Sequence, residues 1–248
     1  LAEGSLPVQS RLRPGELVAR LSAAAPEQGQ AFGEIMHDLD ELIMPGITHW
    51  QHPRFFGYFP SGGSLASVLG DMMSTGLGVI GLNWQASPAL TELEQVMCDW
   101  LRDQLGLPPD FSGVIQDTAS VASLLALVSA RERTTNYGAN REGLQDGGTP
   151  LVIYTSAQSH SSVGKAALLA GFGRNFVRSL PVDADFRLQT RSLEAAIAAD
   201  RAAGLRPCAV VATTGTTATT ARDPIGAIAA SARREGIWLH VDAAMGGT

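Results

Sequence analysis

The run Cys208-Ala209-Val210-Val211-Ala212-Thr213, followed by Thr214-Gly215-Thr216-Thr217, decides the fold. Its apolar residues do not alternate with polar ones, so a strand made of them must be buried on both faces. That happens where helices cover a parallel sheet from both sides. The hydroxyl- and glycine-rich residues that follow read as the turn from the strand's carboxyl end into the next helix. Working outward, the same pairing of short apolar run and helical pattern recurs. Strands are expected at 113–116, 151–155, 175–178, 208–213 and 237–242, and helices at 121–133, 161–171, 190–203 and 224–235. The expected class is α/β, a mainly parallel sheet flanked by helices. No internal repeat or low-complexity tract interrupts it.

Upstream, the pattern is helical and punctuated by proline. Pro14 opens an expected helix to about residue 25, and a second is expected over 27–44, stopped by Pro45-Gly46 because proline cannot continue the backbone ladder. Phe32, Ile35, Met36, Leu39, Leu42 and Ile43 follow i, i+3, i+4, i+7 spacing and form one apolar stripe. Ser87-Pro88 reads as an N-cap with proline at the first helical position of a helix running to about 105. The expected organisation is a helical arm over 1–60 and a large domain over 61–248.

Length and composition narrow the function classes. At about 150 residues per domain, 248 residues give one to two domains. Apolar residues are 45% and charged residues 17%, which excludes a disordered or fibrous chain. A net charge of −6 gives no electrostatic reason for binding nucleic acid or an anionic membrane. The charge-free run over 72–91 carries Ser, Thr, Asn, Gln, Pro and Gly, so it is not a membrane span. Two cysteines, Cys98 and Cys208, cannot build a disulfide framework, and no secretion signal is expected. The expected location is the cytoplasm. The chain starts at Leu1, so the native start is expected to be missing or trimmed.

Two motifs look like sites and are read otherwise. Gly76-Leu77-Gly78-Val79-Ile80-Gly81 matches the dinucleotide fingerprint, but that fingerprint needs a strand before it and a helix after it. Here 64–74 reads as helix, so a glycine-rich surface loop is expected. His49 and His52 are three apart, yet no further ligand cluster joins them and Pro53 argues against a helix. They are expected to be loop histidines, with no metal.

The strand ends carry more. Ligands of open parallel sheets bind at the carboxyl ends of strands. After the expected strand 113–116 comes Asp117-Thr118-Ala119-Ser120, opening a helix whose amides suit an anion. Then come Ser159-His160-Ser161-Ser162, Thr214-Gly215-Thr216-Thr217 and Val241-Asp242-Ala243-Ala244. Each alone has a structural explanation as a cap or a loop contact. Together, an anion cradle, an imidazole, a hydroxyl patch and one acid suit a flat, phosphorylated heteroaromatic cofactor.

These residues resemble the group II pyridoxal-phosphate-dependent amino-acid decarboxylases, the group that includes aromatic-L-amino-acid decarboxylase. The resemblance rests on His49-Trp50-Gln51-His52-Pro53-Arg54-Phe55-Phe56-Gly57-Tyr58-Phe59-Pro60, Ser87-Pro88-Ala89-Leu90-Thr91-Glu92-Leu93-Glu94, His160-Ser161-Ser162-Val163 and Trp238-Leu239-His240-Val241-Asp242-Ala243-Ala244, in that order. It implies a fold type I large domain of the transferase kind and pyridoxal 5'-phosphate as cofactor. Ala119 and Ser120 would hold the phosphate, and His160 would stack on the pyridine ring. Thr217 would lie beside cofactor and substrate, Asp242 would pair with the pyridine nitrogen, and Ala244 would pack on the ring. His160, Thr217 and Asp242 would be the catalytic members.

On the substrate side the resemblance implies Trp50, Tyr58, Phe59, Pro60 and Ser61. Ile80 and Leu82 match positions that reach across from the neighbouring subunit of a homodimer, whose active site lies at the interface. Leu82 stands where aromatic-selective members usually carry phenylalanine. The implied activity is a lyase reaction, decarboxylation of an aromatic L-amino acid to the amine and carbon dioxide. The alternatives are a decarboxylase of another amino acid such as glutamate or histidine, an aldehyde synthase, and a non-catalytic homologue. The chemistry needs a lysine bonded to the cofactor, in the family roughly thirty residues beyond the matching aspartate. Asp242 is six residues from the end, and the single lysine, Lys165, falls on a helix at a surface or phosphate-side position. The chain is therefore expected to stop inside the cofactor domain.

Overall fold

The computed structural model describes residues 6–59, 62–144 and 147–247. The chain divides into two units, Leu1–Val79 and Ile80–Thr248.

In the first unit the expected helix from Pro14 does not form. Residues 11–31 are turn and irregular backbone with one 3-10 turn at Val18–Arg20. Gly15 takes a positive φ of 90°, and nearly all of this segment is exposed. A short helix without an apolar face to bury is marginal in water. The second expected helix starts late, as α1 (Phe32–Asp38), widens into a π turn at Leu39–Ile43, and ends in a 3-10 turn at Met44–Gly46 that holds Pro45. Ala31 offers no side-chain acceptor, so only half a cap forms: the Ala31 amide donates to Glu34 Oε2 at 3.1 Å. α2 (Leu65–Leu77) is capped reciprocally by Ser64 and Ser67 and closed by Gly78 at φ 61°, the left-handed conformation glycine adopts without penalty.

The second unit opens with α3 (Pro88–Gln104), where Ser87 Oγ accepts the Leu90 amide and Pro88 takes the first position. No strand forms at 113–116. That backbone is exposed, and the Ile115 amide donates to the side chain of Glu94 at 2.7 Å instead of joining a ladder. Next come α4 (Ala119–Thr134) and the short α5 (Gly138–Glu142). From there strand and helix alternate: β1 (Leu151–Ser156), α6 (Ser161–Leu169), β2 (Val177–Leu180), α7 (Thr190–Ala202), β3 (Arg206–Thr213), α8 (Ile225–Glu235) and β4 (Trp238–Asp242). β2 starts two residues later than expected because a 3-10 turn occupies Arg174–Phe176.

The four strands form one parallel sheet in the order β2-β1-β3-β4. β1 is buried at every residue and β3 at all but its first, which is why their sequences do not alternate. One face packs Ile153, Ala209 and Val211 against Leu127 and Ala130 of α4 and Val163, Ala166 and Ala167 of α6. The other packs Val152, Tyr154, Val210 and Ala212 against Leu193 and Ile197 of α7 and Ile228 and Ala232 of α8. The result is helix, sheet, helix. Each fully buried Val, Leu or Ile contributes on the order of 1.5–3 kcal/mol.

One polar group enters this core with its partners. Tyr154 Oη donates to Asp200 Oδ2 at 2.9 Å, and Arg178 donates to Asp200 through Nε and, at 2.6 Å, Nη2. Burial, and then the Asp200 bond, push the Tyr154 hydroxyl's pKa well above its ordinary value, so it stays a donor. The triad staples β1, β2 and α7. Tyr154→Phe is expected to lower unfolding stability by about 1 kcal/mol, since Asp200 keeps its arginine. Asp200→Ala strands both donors and is expected to cost about 3 kcal/mol. Urea unfolding at constant slope measures both; equal losses would contradict the assigned geometry.

Candidate functional site

The connections decide where a ligand fits. From β1 the chain crosses through α6 to β2 on one side, and from β3 it crosses through α8 to β4 on the other. α6 and α8 accordingly lie on opposite faces of the sheet. The crevice between the carboxyl ends of β1 and β3 is the switch point at which open α/β sheets bind ligands. His160 follows β1, Thr217 follows β3, and Asp242 ends the neighbouring β4.

His160 is the N-cap of α6. Its Nδ1 accepts the Ser162 amide at 3.2 Å and lies 2.8 Å from Ser162 Oγ. An Nδ1 that accepts places the proton of the neutral ring on Nε2. The ring is thus pinned, yet the residue is exposed. His160 shares a cavity of about 210 Å3 with Ser120 of α4 and with Lys165. At the start of α4, Thr118 Oγ1 accepts the Val121 amide, whereas the Ala119 and Ser120 amides have no intrahelical acceptor. A helix start with open amides is an anion site.

Asp242 is buried, and its Oδ1 accepts the Ala244 amide at 3.2 Å. No hydrogen bond reaches Oδ2 among the described residues. Ala244 lies in the exposed turn beyond it. Thr213 is the register partner of Asp242 on β3, so the two side chains share a sheet face. Thr213 Oγ1 is buried without a partner, a condition that normally implies a missing acceptor or donor.

Between β3 and α8 the chain loops out and returns. Asp223 closes the loop: its Oδ2 accepts the Thr213 amide at 2.8 Å, its Oδ1 accepts the Leu188 amide at 2.7 Å, and its own amide donates to Thr213 O. Burial raises this carboxyl's pKa above its ordinary value, and the two amide bonds oppose that rise. Within the loop Thr216 is fully buried and bonds Thr219 and the Ala221 amide, leaving Thr217 exposed at the tip. No hydrogen bond joins Thr217 to His160 or Asp242 among the described residues.

The first unit holds the aromatic residues. Trp50 stacks on Tyr58 with centroids 5.1 Å apart and planes within 6°, and on Phe55 at 5.3 Å. Tyr58 takes a positive φ of 55°, a strained conformation for a bulky residue. Phe59 is half-exposed. Pro60 and Ser61 lie outside the described residues. In the second unit Ile80 and Leu82 are exposed. Gly76 lies in the last turn of α2 and Gly78 caps it, so the glycine motif sits at a helix's negative end rather than at the start that a pyrophosphate requires. It is thus partly helix, not wholly loop. His49 and His52 are buried loop histidines. His52 Nδ1 accepts the Arg54 amide, so in the neutral ring Nε2 carries a proton rather than a lone pair for a metal.

Sequence reasoning missed Thr213, Asp223, Ser123 and His240. Ser123 Oγ lies 3.2 Å from His240 Nε2, joining α4 to β4 two residues before Asp242. His240 sat inside a quoted motif, and only its spacing from Asp242 could have marked it. A pyridine ring with a phosphate fits the observed set: open amides at Ala119 and Ser120, a pinned imidazole, and a carboxylate oxygen and a buried hydroxyl both without partners. Loss of solvation lowers the His240 pKa below its ordinary 6.5, against the pull of Asp242.

Comparisons with known proteins agree. Residues 14–248 match the family described as the pyridoxal-dependent decarboxylase conserved domain. The chain is 42% identical to tyrosine decarboxylase of Papaver somniferum over 98% of its own length and 49% of that protein's. It is 40% identical to phenylacetaldehyde synthase of Arabidopsis thaliana, covering 98% of this chain and 50% of that one. The crystal structure of Oryza sativa TDC with PLP and tryptamine superposes with a TM-score of 0.90 at 40% identity, over 96% of this chain and 50% of that one. The chain spans about half the length of the curated relatives it matches.

His240 gives a pH prediction. As pH falls through 6.5 the unfolded chain takes up a proton that folded His240 refuses, so stability falls from there down to the folded pKa. His240→Gln is expected to flatten that acid limb relative to wild type. Unfolding free energies at several pH values between about 7.5 and 5 measure it, and parallel curves for the two proteins would contradict the shift.

Proposed function

The chain belongs to the pyridoxal-dependent decarboxylase family, and from that premise we propose that its protein decarboxylates an aromatic L-amino acid to the amine and carbon dioxide with pyridoxal 5'-phosphate. The observation that carries the reading is a buried aspartate with an open carboxylate oxygen at the strand edge that also bears a pinned imidazole and a helix start. When bound, the cofactor supplies a ring that accepts the electron pair left as the bond from Cα to the carboxylate breaks.

The chain's residues bind and bias that ring. The Ala244 amide occupies Asp242 Oδ1, which leaves Oδ2 to accept the ring nitrogen's N–H. A charge-assisted bond of this kind is worth about 1.5–3 kcal/mol and keeps the proton on that nitrogen. His160 offers a ring face that Ser162 stops from turning. Ala119 and Ser120 would donate amides to the phosphate, Thr217 would contribute a hydroxyl, and Ala244 would offer a small side chain beside the ring.

Trp50, Tyr58 and Phe59 of the first unit would face the substrate side chain. The stacked rings of Trp50 and Tyr58 support an aromatic one. Leu82 removes one ring from that set. We take the protein to be a cytoplasmic homodimer with its site at the interface. Ile80 and Leu82, 69% and 77% exposed, support an apolar contact with a neighbour. The unpaired Cys98 and Cys208 support a reducing compartment, and among the described residues no helix is long and apolar enough to cross a membrane. A second reading, an aldehyde synthase, is favoured by the 40% identity to such a relative.

The protein, given pyridoxal phosphate, is expected to release carbon dioxide and amine from tyrosine, 3,4-dihydroxyphenylalanine, phenylalanine or tryptophan. Aldehyde in place of amine would favour the second reading, and turnover of glutamate alone would overturn the aromatic assignment. Asp242→Ala is expected to lower the rate by several orders of magnitude with the fold retained by circular dichroism. Near-normal turnover would remove the role given to Asp242.

A further inference from the structure

Two elements that meet the proposed cofactor at opposite ends are joined, among the described residues, by one side-chain hydrogen bond. Ser120 stands at the open start of α4, and Ser123, three residues on, lies on the same helix face one turn deeper. Asp242 ends β4, and His240, two residues back, lies on the same strand face. Ser123 Oγ and His240 Nε2 are 3.2 Å apart. Ser123 is 2% exposed, so its hydroxyl is shielded from competing water. Around this bond Leu124 and Trp238 pack on the same core, and the Arg133 guanidinium of α4 lies 5.8 Å from the centroid of the Trp238 ring. Apolar and cation–π packing tolerate small slides; a hydrogen bond between one helical position and one strand position does not.

We propose that Ser123 and His240 are positioning residues that set the separation between the phosphate-binding start of α4 and the carboxylate of Asp242. The inference rests on the pyridoxal-phosphate reading of the site and adds to it a device that neither touches the ligand nor needs to. Its effect depends on the ligand. A molecule that spans both ends at once, with a ring nitrogen on Asp242 and a phosphate on Ala119 and Ser120, feels any error in their spacing. Pyridoxal, which lacks the phosphate, engages one end and does not. Loss of solvation lowers the His240 pKa, against the pull of Asp242, which favours a neutral ring facing Ser123.

The test compares wild type, Ser123→Ala, His240→Phe and the double variant, each as the intact protein freed of cofactor. Dissociation constants for pyridoxal phosphate and for pyridoxal are read from their visible absorbance bands, alongside thermal unfolding of each apoprotein. Ser123→Ala is expected to weaken pyridoxal phosphate about tenfold, equivalent to about 1.4 kcal/mol, while pyridoxal changes less than about twofold. His240→Phe should do the same. The double variant should lose no more than either single one, because one bond is removed once. Parallel loss for both ligands, following the fall in melting temperature, would mean general loosening and overturn the proposal. So would an additive double variant. Wild type that binds pyridoxal phosphate while Ser123→Ala keeps the same ratio between ligands overturns the strut alone. Wild type that binds no pyridoxal phosphate overturns the cofactor reading and the strut with it.

Discussion

A parallel strand buried on both faces must find partners for its last backbone groups before the chain turns, and for β3 Asp223 supplies them. Its two carboxylate oxygens take the amides of Thr213 and Leu188. Without that carboxylate two amides would be buried and unpaired, each at a cost of about 1–3 kcal/mol. With it, the loop over 214–222 closes on itself and the carboxyl end of β3 stays fixed beside that of β4. The candidate site stands on this closure. Thr213 sits at its base, Thr217 at its tip, and Asp242 across the register pair.

The sheet order adds a second constraint. Because the chain leaves β1 and β3 in opposite directions, no helix start fills the space between their carboxyl ends, and the crevice there is a product of topology before any side chain is chosen. The polar residues around it are then arranged by local bonds: His160 by Ser162, Asp242 by Ala244, and the start of α4 by Thr118. The core carries few such bonds, and where it does, as at Tyr154, Asp200 and Arg178, every partner is supplied.

Much of this was legible in the sequence, for identifiable reasons. The unbroken apolar runs of β1 and β3 could be read because burial on both faces leaves no alternation. The start of α3 could be read because Ser87 and Pro88 act within one turn. His160 and Asp242 could be placed because strand ends fix them, and the start of α4 because Thr118 caps it within one turn. What could not be read depends on distant partners. Asp223 accepts from residues 10 and 35 positions away, and the Ser123 bond to His240 spans 117. Two expectations failed for the opposite reason. At 14–25 and 113–116 local preference pointed to helix and strand, but neither segment buries a face in this chain, and local preference alone does not hold an element.

The place of β4 in the sheet bears on how the protein comes into being. Among the described residues it pairs with β3, is less buried than β1 or β3, and follows both in chain order. During synthesis the α4 start, His160 and the loop after β3 all emerge before the aspartate does. A site divided in this way has no complete set of candidate residues until β4 has paired with β3. A ligand at that edge would therefore meet these residues together only after all four strands have formed, and could not template the first of them.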